Sequence, residues 1–149
     1  MIVVDANILI RAVMGRRVKH LLETYSAKGI HFYAPGTVFA EAEKYLPILL
    51  AKRGKPAADV VAAIEYFRTL IEPVDHEFYD LFETEARRRL QGRDENDWPV
   101  LATALGLDCP VWTEDKDFFG TGIAAWTTSR VEIFLEARAK EAGSTAEGE

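Results

Sequence analysis

Ile2-Val3-Val4-Asp5-Ala6-Asn7-Ile8-Leu9 opens the chain with three β-branched residues, stops at an acid, and passes at once into a helical pattern. The branched side chains favour an extended backbone. Ile8 to Val13, with Val18, Leu21, Leu22 and Tyr25, then recur at helical spacing. A strand therefore feeds a helix, and the same unit recurs downstream. Ile30 to Tyr33 reads as a second strand ending at Pro35-Gly36, and Thr37 as the N-cap of a helix carrying Val38, Phe39, Glu41, Ala42 and Tyr45. Pro47, ten residues into that helix, is expected either to kink it or to restart it.

Arg53-Gly54-Lys55-Pro56 reads as a turn. Helical patterns over Ala57 to Leu70 and His76 to Leu90 flank a candidate third strand, Ile71 to Val74. Trp98 to Leu107 is a further helix. Pro110 to Thr113 is a strand, Ala124 to Thr127 an edge strand, and Val131 to Ala139 the last helix. Strands alternating with helices predict an α/β three-layer sandwich around a mainly parallel sheet of four to five strands, because parallel strands need helical crossovers. A chain of 149 residues, 48% hydrophobic, suffices for one core. One domain over 1–139 is expected, with a small, polar and disordered tail over 140–149.

The chain is read as cytoplasmic. No apolar run reaches the roughly 18 residues that span a bilayer, and no charged lead precedes an apolar signal core. The single Cys109 excludes an internal disulfide and any multi-cysteine metal site, and is read as a small buried residue. The net charge of −6 argues against a nucleic-acid partner only as a total. Acids gathered around divalent cations make a site locally attractive to phosphate.

Ligands of open parallel sheets bind beyond the carboxyl ends of the strands. Asp5 follows strand one directly, Asp115 lies two residues past Thr113, and Glu41 sits one turn into the helix after strand two. Asp97 begins a helix, since Pro99 confines the N-cap to Asn96 or Asp97 and leaves Asp94 in the loop before it. Singly, each acid has a structural explanation as cap, turn former or exposed helix residue. Converging at one edge, they repel unless protonated or bridged by a cation. Oxygen ligands without a Cys or His cluster suit Mg²⁺ or Mn²⁺. The chemistry such a cluster serves is phosphodiester hydrolysis, which needs no histidine base. His20, His31 and His76 are scattered without ligand-like spacing.

These stretches resemble the PIN-domain family, in particular its VapC-like and PilT-N-terminus-like members. The likeness rests on Ile2 to Leu9, on Phe39-Ala40-Glu41-Ala42, on Asp97-Trp98-Pro99-Val100-Leu101-Ala102-Thr103-Ala104, and on Val111-Trp112-Thr113-Glu114-Asp115-Lys116-Asp117-Phe118. It covers about residues 1 to 128, and no specific motif falls in 55 to 93. The resemblance implies an endoribonuclease that cuts single-stranded or looped RNA with Mg²⁺ or Mn²⁺. It also implies the toxin of a type II toxin–antitoxin pair, with a protein antitoxin and a homodimeric state. By the same resemblance Asp5, Glu41, Asp97 and Asp115 match the catalytic metal-binding acids. Asp117 is either a fifth acid or a cap for the turn at Phe118; Asp94 competes with Asp97. Asn7 and Thr113 match residues that support the ligands.

RNA needs cations as well, and Arg11, Arg16, Arg17 and Lys19 follow the first strand closely enough to form a phosphate rail. The opposing reading is a solvated helix face, and Arg87-Arg88-Arg89 is discounted on that ground. Trp112 and Trp126 lie in strands and are read as core; Trp98 stays open between core and base stacking. Two other classes compete. A Mg²⁺-dependent phosphatase wants a second acid where Asn7 stands, and so does a phospho-acceptor domain. A catalytically silent binding module is expected to lack acids that this chain carries.

Overall fold

The computed structural model describes residues 1–147. Its core is a five-stranded sheet in which every pairing is parallel. The strands are β1 (Ile2–Val4), β2 (Phe32–Pro35), β3 (Ile71–Val74), β4 (Val111–Trp112) and β5 (Ala125–Trp126), in the spatial order β3-β2-β1-β4-β5. Helices between them are α1 (Ala6–Met14), α2 (Arg17–Ala27), α3 (Gly36–Lys52), α4 (Val60–Arg68), α5 (His76–Tyr79), α6 (Glu83–Arg89), α7 (Trp98–Leu107) and α8 (Val131–Glu147). The predicted sandwich is thus present, with β5 at an edge as expected. No helix among the described residues is long and apolar enough to cross a membrane.

Burial explains the sheet's composition. Ile2, Val3 and Val4 are all fully enclosed, as a central strand covered on both faces demands. Trp112, Phe32 and Phe39 are the bulky fillers around it, and Trp112 is in the core as read. Trp126 and Trp98 are partly buried against that core; Trp98 meets the edge of Tyr79 and lies under the Arg87 guanidinium. Cys109 is buried, as expected.

Several local expectations are corrected. The first helical pattern is two helices, because the chain turns through an extended Gly15 before α2. Thr37 is not the N-cap: Pro35 holds that position with extended dihedrals, and α3 starts at Gly36. The helix neither stops nor restarts at Pro47. It runs through, because Leu46 and Leu50 are buried on either side, and their burial offsets the roughly 3 kcal/mol of an interior proline. The pattern over His76 to Leu90 is broken by a 3₁₀ turn, Asp80–Phe82. α8 continues past Ala139 to Glu147, through the good helix formers Lys140, Glu141 and Ala142 and on across Gly143. Residues 148 and 149 of the expected disordered tail lie outside the described residues.

Gly106 shows how closely α7 is packed. A Cβ there meets ring atoms of Phe78 and Phe82 at 2.7 Å, too near for any side chain without displacement. Gly106→Ala is therefore expected to destabilise the fold by on the order of 1 kcal/mol, since overpacking outweighs the helix propensity gained. Urea melts of the two proteins check this; a more stable variant would refute the packing account.

Candidate active site

The chain runs from β1 outward to β2 and β3, then returns to β4 and β5 on the other side. The strand order reverses between β1 and β4, and the two residues that follow these strands meet there. Asp5 donates its backbone N–H to the Trp112 carbonyl at 3.1 Å. In this register the Thr113 hydroxyl donates to Asp5 Oδ2 at 2.7 Å. The Asn7 amide donates to the same oxygen at 2.9 Å, and the Ala6 N–H to Asp5 Oδ1 at 2.6 Å. Asp5 is 5% exposed, so it is a buried carboxylate held in one orientation by three donors.

Thr113 carries the order onward by accepting from the Asp115 N–H at 2.9 Å. Asp115 Oδ1 then accepts from the Asp117 N–H at 2.9 Å, so Asp115 caps the turn at Phe118 and Asp117 does not. Carboxylate oxygens of Asp97, Asp115 and Asp117 all lie within 4.8 Å of one another. Asp97 occupies the N-cap position of α7 but makes no capping bond, and its Oδ2 is buried without a hydrogen-bond partner. The capping explanation for Asp97 therefore fails. Asp94 serves locally instead, accepting from the Asn96 N–H at 3.0 Å, and stands outside the three-acid cluster.

Glu41 comes from α3 and is exposed. It lines a cleft of about 330 Å³ together with Asp5 and Asp97, and lies outside the tight cluster. Electrostatics ties the groups together. Burial, then the charges of Asp115 and Glu41, push the Asp5 carboxyl up from its usual range, against the pull of its hydrogen bonds. Asp97 is pushed up to about 8, first by burial, then by the close approach of the Asp115 carboxylate and the charges of Asp5, Asp115 and Asp94. Protons or cations must neutralise such a cluster.

The sequence reading passed over several residues here. Thr37, Lys44 and Tyr45 line the same cleft; the Lys44 ammonium sits 5.3 Å above the Tyr45 ring. Glu114 accepts from the Thr128 N–H at 2.7 Å and donates its own N–H to Asn7 Oδ1. Arg93 braces the acidic loop by donating to the Asp117 carbonyl at 2.8 Å and to that of Phe119. Composition offers no signal for such bracing. The basic residues after β1 divide: Arg11, Arg16 and Arg17 line one cleft, and Lys19, 5.7 Å from the Tyr66 ring, lines a second that Arg16 also borders. Arg87, Arg88 and Arg89 are paired with Glu83 and Glu85 along α6, as residues of a solvated helix face are.

No curated protein matches the sequence closely enough to count as a relative. Among solved structures, the fold is similar to a chain of the VapBC2 complex from Rickettsia felis bound to a promoter DNA fragment. Its TM-score is 0.66 at 17% identity, over 85% of this chain and 98% of that one. A toxin–antitoxin complex from Klebsiella pneumoniae gives 0.60 at 19% identity over 86% and 98%. FitAB bound to a DNA fragment gives 0.55 at 18% identity over 86% and 95%. At these identities the likeness speaks for the fold. The family model for the PIN domain matches residues 3–136, a span that holds Asp5, Glu41, Asp97, Asp115 and Asp117. By that match the chain belongs to the PIN domain family, a family of nucleases.

Proposed function

We propose that this protein is a Mg²⁺- or Mn²⁺-dependent endoribonuclease that acts as the toxin of a type II toxin–antitoxin pair. The observation that carries the catalytic part is the buried, unpartnered Asp97 Oδ2, facing other carboxylates in the cleft where the strand order reverses. An oxygen-only donor set with an unpartnered buried acceptor fits a hard divalent cation. Asp97, Asp115 and Asp117 would hold it, with Asp5 and Glu41 completing the acidic wall. When bound, such an ion neutralises charge on the phosphoryl oxygens and acidifies the attacking water.

The chain's own residues do the positioning. Thr113 and Asn7 hold Asp5 in a single rotamer, and Asp115 is locked by the turn it caps. Lys44 supplies a cation for a phosphate at the cleft, and the Tyr45 ring, 41% exposed, offers a face on which an unpaired base can stack. The neighbours named as toxin–antitoxin complexes support a protein antitoxin as partner. A homodimer in the cytoplasm belongs to the same reading. The phosphatase alternative is disfavoured because Asn7 spends its amide on Asp5 and leaves no second acid.

The test is incubation with mixed single-stranded RNA and DNA pools, in Mn²⁺ and in EDTA. Cleavage of RNA in Mn²⁺ alone is expected. A folded, Mn²⁺-binding protein that leaves RNA intact but releases phosphate from a phosphomonoester would overturn the reading.

A further inference from the structure

We propose that the cleft ringed by Arg11, Arg16, Arg17 and Arg53 is a phosphate subsite, which holds the backbone of the RNA strand beside the acids. It rests on the nuclease reading above and deepens it. The cleft measures about 430 Å³, with Thr128 also on its wall. Its arginines come from three places: α1, the start of α2, and the end of α3, where Arg53 was read as no more than a turn residue. A chain of net charge −6 thus gathers four arginines along one hollow.

What these arginines lack is as informative as where they stand. On α6 and α8 arginines lie against carboxylates: Arg87, Arg88 and Arg89 pair with Glu83 and Glu85, and Arg138 with Glu141. In the cleft Arg17 reaches Glu132 at 2.9 Å, while Arg11 stands 4.0 Å from Glu114. The side chains of Arg16 and Arg53 have no ion pair or hydrogen bond among the described residues. Arg16 and Arg53 therefore add positive charge to the cleft that no carboxylate among the described residues neutralises, which favours an anion there. Planar guanidinium forks match phosphate oxygens two at a time.

Continuity with the acids selects the occupant. Asp5 is bonded to Asn7, Asn7 to the Glu114 N–H, and the Glu114 carboxylate faces Arg11. The basic cleft therefore begins two side chains from the buried carboxylate. A strand whose scissile phosphate lies at the acids can place a neighbouring phosphate there, whereas Lys19, turned toward Tyr66, is not part of the subsite.

Binding of a fluorescent single-stranded RNA, followed by anisotropy in EDTA to prevent cleavage, tests this. Arg16→Gln with Arg53→Gln should weaken binding at least tenfold. It should also make the log–log salt dependence shallower by about 1.4, the change expected when two phosphates are no longer neutralised. The Arg16→Lys, Arg53→Lys pair should stay within about threefold, and Arg88→Gln, which removes one charge from α6, should change nothing. Equal melting temperatures confirm that folding is intact, since both arginines are exposed. The proposal falls if the Gln pair binds as the parent does, if the parent does not bind, if Arg88→Gln weakens binding equally, or if the cleft variant loses affinity for polyglutamate and not for RNA. Cleavage in Mn²⁺ is read separately: a parent that cuts RNA while the Gln pair binds normally sinks the subsite alone. A parent that cuts nothing, with binding lost in the Gln pair, sinks the nuclease reading alone.

Discussion

Asp5→Asn is expected to reduce RNA cleavage by on the order of 10²–10³-fold or more, the scale seen when a preorganised electrostatic group is removed from an active site. The size follows from the contacts. Asp5 Oδ2 receives two donors, the Thr113 hydroxyl and the Asn7 amide, and Oδ1 receives the Ala6 N–H. Asparagine keeps one acceptor oxygen and presents an NH₂ to donors on the other side. Thr113 cannot simply turn away, because its oxygen also accepts from the Asp115 N–H. The substitution therefore removes a charge and disturbs Asp115 as well. Thr113→Val, similar in size at a fully buried position, removes the relay and leaves the charge; a loss of about 10–100-fold is expected. Single-turnover cleavage in Mn²⁺ reads both, and an Asp5→Asn enzyme within threefold of the parent would remove Asp5 from the active site.

The second large effect is on stability. With its carboxyl pushed up to about 8, Asp97 binds a proton more tightly in the folded chain than in the unfolded one, where its value is near 4. Between these limits the folded state holds more protons, so stability falls as pH rises from about 4 to about 8 and changes little from this group above that. Without metal the full difference would be about 5 kcal/mol, and solvent screening of a partly exposed carboxylate brings the cumulative loss down to on the order of 2 kcal/mol, or roughly 4–8 °C for a chain of this size. Asp97→Asn abolishes that titration. It is expected to melt with the parent near pH 4 or below, where Asp97 is neutral in both the folded and the unfolded chain, and several degrees above it near pH 9. Mn²⁺ should then raise the parent's melting temperature much more than the variant's, since only the parent retains the full oxygen cluster. Thermal melts over pH and Mn²⁺ concentration decide it. A variant that melts like the parent at pH 9 and gains equally from Mn²⁺ would show that the carboxylates do not act on one another.

Both predictions were within reach of the sequence in outline but not in detail. Asp5 and Asp115 could be placed because each follows a short β-branched or aromatic strand, and a parallel sheet presents the residues after its strands at one edge. Spacing favoured Asp97 over Asp94 through Pro99 but left Asp94 as a competitor and the role of Asp117 open. All three sit within a few residues of a turn that any of them can cap. Side-chain direction separates them: Asp94 caps its own turn, Asp115 both caps a turn and joins the cluster, and Asp97 and Asp117 turn into the cluster.

Local order explains the other differences. Periodicity reports which side of a helix is apolar but is indifferent to a single extended residue such as Gly15, or to a proline whose neighbours are buried. Hence α1 and α2 read as one pattern, and Pro47 read as a kink or a restart where the helix in fact continues.

Alternating strand and helix patterns, the strand-end acids and the absence of a histidine or cysteine cluster are properties of the linear chain, and they determined by themselves the parallel α/β fold and the expectation of an oxygen-rich site. Which arginines share a cleft, which acid is left buried without a partner, and how Thr113 reaches Asp5 across 108 positions were decided only by the tertiary structure. Periodicity and propensity are set by near neighbours along the chain, whereas charge clustering and hydrogen-bond satisfaction depend on strand order and register, which bring distant residues together.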